Sequence, residues 1–156
     1  MIRHVRNARA SGALPPDAAA LLTEEEHRAA RDEIASWPGY RPTPLTGLPG
    51  VARAAGIGAV HYKDESHRFG LGSFKALGGA YAVLRLLKEV LARDGMEATS
   101  ADLLSGRHRG RAARETFVCA TDGNHGRSVA WGARSFGANA RVYIHENVSE
   151  DRERAI

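Results

Sequence analysis

Cysteine is nearly absent from this chain: among 156 residues Cys119 is the only one. No intrachain disulfide is possible, and the apolar setting "TFVCA" points to a packed thiol in a reducing compartment. Lysine is also scarce, with Lys63, Lys75 and Lys88 the only three among 22 basic residues. Aromatic residues make up 6%. The arginines mostly neighbour acids, as in "HRAARDE" and "EDRERA", and form no aromatic-interleaved basic stripe. The formal net charge of +4 is therefore not the footprint of a nucleic-acid binder. No segment approaches the roughly 18 consecutive apolar residues of a membrane span, and "MIRHVRNARASGALPP" lacks an apolar signal core. The expectation is a soluble cytoplasmic protein with no nucleic-acid partner, no membrane partner and no metal.

What remains is 43% hydrophobic, enough for one ordinary domain with a real core. Residues 1–36 read as an arm followed by a surface helix. Within them "TEEEHRAARDEIASW" opens with Thr23 and Glu26 at capping-box spacing and is polar on most faces. The main domain runs over residues 37–156. Its lead-in, "YRPTPL", cannot be regular helix, because Pro42 and Pro44 remove donors and push their predecessors to extended geometry. "VARAAG" predicts a short helix closed by Gly56. "GAVHYKDE" predicts a strand that delivers Lys63, Asp64 and Glu65 to its end.

A helix is expected from about Phe74 to Leu91, with Leu77, Tyr81, Leu84 and Leu91 inward and Arg85, Lys88 and Glu89 solvated. "DGMEATSADLLSGRHRGRAARE" reads as an irregular surface excursion. "TFVCAT" then predicts a strand, "NHGRSVAWGARSFG" a helix closed by Gly137 with Trp131 in the core, and "ARVYIH" a buried strand. Strand, helix, strand, helix, strand in that order implies an α/β fold with parallel pairing.

In such a sheet, ligands collect at the carboxyl ends of strands, where loops lead into helix N-termini. Two loops have that address, "DESHRFGLGSFK" and "TDGNHG". Lys75 falls in the first turn of its helix, where the positive end of the macrodipole opposes an ammonium, and a neutral lysine amine attacks carbonyls. The glycines at 70 and 72 suit a loop wrapped around a flat ligand. A lysine at a helix start can equally be a plain helix residue with its stem over apolar surface. In the second loop, Thr121, Asp122, Gly123, Asn124 and His125 lie where helix N–H groups would meet an anion such as a substrate carboxylate. Asp122 and Asn124 could also simply cap that helix. His125 reads as a loop-shaping hydrogen bonder, and Lys63 as a strand-end residue paired with a carboxylate.

Taken together, "YRPTPL", "KDES" followed by "GSFKALGGA", and "ATDGNHGR" about fifty residues on resemble the β-family (fold type II) of pyridoxal-phosphate enzymes. That family includes serine and threonine dehydratases, threonine synthase and cysteine synthase. Over roughly residues 37–156 the stretches "PGYRPTPL", "KDESHRFGLGSFKALGGAYA" and "ATDGNHGRSVAWGARSFGANARVYI" look most like its diaminopropionate ammonia-lyases. The resemblance implies a three-layer fold whose mostly parallel sheet is flanked by helices, and pyridoxal 5'-phosphate as cofactor. It makes Lys75 the lysine that holds the cofactor covalently, and Asn124 the asparagine that hydrogen-bonds the pyridine hydroxyl. Ser73 and Phe74 complete the S-F-K signature at the cofactor. Asp122 stands where similar dehydratases usually carry a small neutral residue, and in the ammonia-lyases this position is thought to be a second base.

The implied reaction is α,β-elimination of 2,3-diaminopropionate to pyruvate and ammonia by a protein that is a homodimer when complete. Members of the family are considerably longer than this chain. Their glycine-rich phosphate loop and the group facing the pyridine nitrogen have no counterpart in these residues. The chain is thus expected to be an N-terminal portion, incomplete as a cofactor-binding domain and inactive alone. A serine/threonine dehydratase-like lyase and a non-catalytic remnant are the alternative expectations.

Overall fold

Proline at position 16 starts helix α1 (Pro16–Leu21), and Thr23 starts α2 (Glu24–Ala35). The structure, a computed structural model, describes residues 7, 12, 14–21, 23–121 and 123–156. The predicted cap of α2 is formed: Glu26 N donates to Thr23 Oγ1 at 3.2 Å, and Thr23 Oγ1 donates to the Glu26 carboxylate at 3.0 Å. α2 buries none of its residues, as its polar faces require. The chain turns inward at Trp37, which is 3% exposed and donates from Nε1 to Glu33 at 2.9 Å.

The extended lead-in becomes strand β1 (Leu45–Gly47), which pairs with β2 (His61–Lys63) across helix α3 (Pro49–Ala55). α3 ends at Gly56, as predicted, with φ 66°. The β1–β2 pairing is antiparallel, with Thr46 opposite Tyr62. It corrects the expectation that the first strand joins a parallel ladder with the later ones. With three residues, all exposed, β2 takes its partner from the extended backbone that Pro42 and Pro44 impose nearby, a long-range effect no local pattern announces. Lys63 is corrected in part: its Nζ donates to the carbonyl of Thr43 at 2.6 Å, it forms no ion pair within contact distance among the described residues, and its charge acts on the Glu65 carboxylate only at longer range.

Buried charge locks this region. Arg68 is 6% exposed and donates to Glu65 at 2.8 and 2.9 Å, to the Arg41 carbonyl at 2.8 Å and to Thr43 Oγ1 at 3.1 Å. The Thr43 hydroxyl in turn donates a hydrogen bond to Glu65, and the Arg68 guanidinium lies 5.3 Å from the centre of the Tyr40 ring. A buried guanidinium is tolerable only when its donors are this fully used. The Arg68 hydrogen bonds, with that of Thr43 after them, hold the Glu65 carboxyl at about 2 against an ordinary 4.5.

Helix α4 (Lys75–Arg93) and helix α7 (Asn124–Phe136) form the centre of the fold. Between them lie α5 (Ser100–Leu104), α6 (Arg109–Ala112) and strand β3 (Thr116–Ala120); β4 (Asn139–Tyr143) and α8 (Glu150–Arg154) follow α7. As predicted, α7 closes on Gly137, and β3 pairs with β4 in parallel, Thr116 opposite Asn139 through Ala120 opposite Tyr143. The buried face of α4 is Ala76, Gly79, Ala80, Val83, Leu84, Leu87 and Leu91. It is rotated from the expected stripe, so Leu77 and Tyr81 are half-buried, as is Lys88. Trp131 is likewise half-buried against the core.

Two further expectations change. The segment read as an irregular excursion is helical, because Thr99 and Asp102 make a reciprocal capping box at 3.1 and 3.0 Å. It also sends Leu103 and Ala112 into the core. Strand β4 is not buried. α7 covers one face of the β3–β4 pair, while Val118 and Tyr143 are 59% and 57% exposed. Cys119 is half-buried, and burial pushes its thiol upward.

α4 and α7 touch backbone to backbone. A Cβ on Gly132 would lie 2.7 Å from the Cα of Ala80, and one on Gly79 would lie 2.5 Å from Ser128 Oγ. Into this contact Ser128, fully buried, inserts its hydroxyl, accepting from Ala80 N at 3.0 Å and donating to the Ala76 carbonyl at 3.2 Å.

Two stability predictions follow from these contacts. Gly132→Ala should destabilise by about 1–3 kcal/mol, because the methyl meets backbone that cannot yield. Gly78→Ala, with open space around its Cβ, should stabilise by about 0.5–1 kcal/mol through helix propensity. Thermal melts of the two variants must therefore move in opposite directions. Glu65→Gln should cost about 2 kcal/mol at neutral pH by leaving Arg68 without its anion. A lowered carboxyl pKa contributes fully above the unfolded value and is lost as pH falls through the folded one. The parent and Glu65→Gln should therefore converge in acid denaturation between about pH 4.5 and about pH 2.

Candidate active site

The loop before α4 is wound tightly. The Asp64 carboxylate accepts from Ser66 N at 3.0 Å, and a 3-10 turn spans Arg68–Gly70. Phe69, Gly70 and Gly72 then take φ of 50°, 72° and 69°. Left-handed backbone is cheap at the glycines, but at Phe69 it costs on the order of 1 kcal/mol. The compensation is the ring, which stacks on Trp131 with centroids 4.8 Å apart and lies 6.0 Å from Trp37.

The loop ends at Ser73, buried at 8% exposure, whose Oγ accepts from Lys75 N at 3.2 Å. This satisfies one of the orphan donors of the first turn of α4. Lys75 is exposed, and among the described residues its amine has no hydrogen-bond or ion-pair partner.

The second loop rests on the parallel strand pair. Thr121 is half-buried and extends the ladder, its N donating to the Tyr143 carbonyl at 2.9 Å. Gly126 lets the first turn of α7 press onto the strands, since a Cβ there would meet Thr121 and Val142 side chains at 2.8 and 2.9 Å. Gly123 and the exposed Asn124 stand at the start of the helix. Asp122 lies outside the described residues.

The two helix starts open on one depression of about 380 Å³, lined by Lys75, Gly123 and Asn124. Of the other residues singled out in the sequence, Phe74 is 63% exposed and does not line it. Thr121 and the exposed His125 do not line it either.

Four lining residues carry no role in the sequence analysis: Arg127, Asp151 and Arg152 of α8, and the apolar Ala155 that follows it. Arg127 had a signal, since it stands three residues after Asn124 on the same helix and so on the same face. Asp151 and Arg152 had none, because only the course of β4 returns them to the mouth of the site. An amine with no partner, beside an amide and a guanidinium, can bond covalently to a carbonyl carbon and hold polar groups attached to it.

A larger depression of about 590 Å³ lies between α4 and α5, lined by Arg85, Lys88, Glu89, Met96 and Asp102 among others. Lys88 is about 20 Å along the helix from Lys75 at 1.5 Å per residue. The larger depression has neither a glycine loop nor a start of α4 or α7 on its wall, and the smaller one is the candidate site.

The chain is similar to known proteins. Diaminopropionate ammonia-lyase of Escherichia coli (strain K12) is 42% identical over 138 residues, 87% of this chain and 33% of that protein. The enzyme of the same name from Salmonella typhimurium (strain LT2) is 44% identical over 112 residues, 72% of this chain and 28% of its own. The crystal structure of the Escherichia coli enzyme in complex with D-serine superposes with a TM-score of 0.75 at 37% identity, over 92% of this chain and 35% of that one. This chain thus spans about a third of the length of these relatives. The family model described as "Pyridoxal-phosphate dependent enzyme" matches residues 36–156, and the chain belongs to that family.

Proposed function

We propose that these residues form the N-terminal part of a pyridoxal-phosphate lyase that converts 2,3-diaminopropionate to pyruvate and ammonia. The observation that carries this reading is the depression shared by Asn124 and the Lys75 amine, unpartnered among the described residues, at two helix starts. The donor set suits the cofactor: a primary amine for its aldehyde carbon, and an amide whose N–H can donate to its ring hydroxyl. The identity to diaminopropionate ammonia-lyases supports the substrate. In the same reading, residues 1–36 are an arm and residues 37–156 a portion of the cofactor domain of a cytoplasmic homodimer.

Bound cofactor supplies an electron sink that makes the Cα–H of the attached amino acid acidic. The chain's own residues do the rest. Lys75 would hold the cofactor and, with its amine free, would act as a base on one face of Cα. Asp122 serves as the base on the opposite face. Asn124 would hold the cofactor through a hydrogen bond from its amide to the ring hydroxyl, and the N–H groups at 123–125 would receive the substrate carboxylate. When the Cα proton is removed, the electron pair expels the β-amino group as ammonia. Water then hydrolyses the released unsaturated product to pyruvate and a second ammonia.

Two experiments on the full-length protein test these roles. Borohydride reduction of the cofactor-loaded protein should label the peptide containing Lys75, and Lys75→Ala should lose activity by about 10²–10⁴-fold; a label on Lys63 or Lys88 would overturn the assignment. Asp122→Asn should lower turnover of one diaminopropionate enantiomer about a hundredfold while largely sparing the other. Equal losses on both would reduce Asp122 to a loop-shaping residue. Pyruvate release from serine and threonine, run beside diaminopropionate, separates the dehydratase reading.

A further inference from the structure

Between its anchors the glycine loop is held from outside by the Phe69 ring against Trp131 and Trp37 and, among the described residues, by one hydrogen bond. Arg68 and its partners tie the start of the loop, with Leu71 N donating back to the Arg68 carbonyl at 2.9 Å, and Ser73 ties its end. The middle is held from α7. Arg127 donates from Nη1 to the carbonyl of Leu71 at 3.0 Å, and Leu71 lies between the two left-handed glycines, Gly70 and Gly72. Arg127 is half-buried, has no ion-pair partner among the described residues and keeps its buried Nε unpaired. It also lines the depression with Lys75 and Asn124. A guanidinium committed to a backbone carbonyl instead of a carboxylate is a rigid fork that cross-links two segments. Here it joins the loop that leads to Lys75 with the helix that begins at Asn124.

We infer that Arg127 is a positioning residue: it clamps the glycine loop to α7 and thereby fixes the placement of Lys75 relative to Asn124. The inference rests on the proposed function for its catalytic consequence but not for the clamp itself. Two left-handed glycines beside the held carbonyl give the loop freedom to open once the clamp is gone. Misplacement of a reacting group by about 1 Å costs on the order of 10²-fold in rate, so the effect should fall on kcat, with KM little changed.

The test uses the full-length protein without added cofactor, comparing amide hydrogen exchange of residues 69–74 in the parent, Arg127→Ala and Arg127→Lys. Arg127→Ala should speed exchange of these amides about tenfold, and Arg127→Lys, which keeps one donor, should lie between it and the parent. In cofactor-loaded protein, the visible circular dichroism per borohydride-trapped Lys75 should fall in Arg127→Ala and partly recover in Arg127→Lys. Loop exchange within twofold of the parent in Arg127→Ala overturns the inference. Should that variant not fold, Arg127→Lys decides: about threefold faster loop exchange supports the clamp, and parental exchange overturns it. A parent that traps no cofactor at Lys75 would defeat the proposed function, while the exchange comparison would still decide the clamp.

Discussion

The contact between α4 and α7 is the constraint on which the site depends. Each helix carries one half of the candidate chemistry at its N-terminal end, Lys75 on one and Asn124 on the other. Their ends can share a depression only because their backbones approach to the limit that Gly79 and Gly132 permit. Ser128 makes the approach specific. Its hydroxyl both accepts and donates within the first two turns of α4, so the register between the helices is set by hydrogen bonds as well as by shape. Because interiors are close-packed, a methyl in this contact is carried as a shift to both helix ends.

Around this centre the chain is held by unlike means. On one side, Trp37, Phe69, Trp131 and Phe136 form an aromatic cluster that compensates for the left-handed Phe69. Beside it, Arg68, Glu65 and Thr43 form a polar lock that ties the lead-in segment to the glycine loop. The apolar cluster supplies burial and the lock supplies direction. A buried ion pair is seldom a strong source of net stability, but its partners must meet in one geometry. Strain at the loop therefore sits between two firm supports, an arrangement common where backbone must present a reactive side chain.

Much of the architecture was legible from local chemistry. Thr23 with Glu26, Gly56 and Gly137 mark helix ends through single hydrogen bonds or single backbone conformations, and the structure keeps each of them. The α5–α6 segment was equally legible through Thr99 and Asp102, but its polar composition masked the capping box. On α4, Leu84 and Leu91 are buried as their spacing predicts, while the inward turn of Ala76, Gly79 and Ala80 carries no hydrophobic signal: these small residues let α7 come close. β2 was assigned to the wrong ladder because three exposed residues carry too little pattern to name a partner.

From the sequence alone came the identity of the chemical groups and their local settings: a scarce lysine after a glycine-rich turn, an asparagine at a helix start, and the order of the main strands and helices. Those follow from residue type and spacing of a few positions, over which backbone sterics and capping act. Only the tertiary structure decided that Lys75 and Asn124 face one depression, that Arg127 reaches back to Leu71, and that Asp151 and Arg152 return to the site's edge. These are meetings between residues dozens of positions apart. They are determined by how closely α4 and α7 pack and by where β4 returns the chain, and such distances are written in no short stretch of sequence.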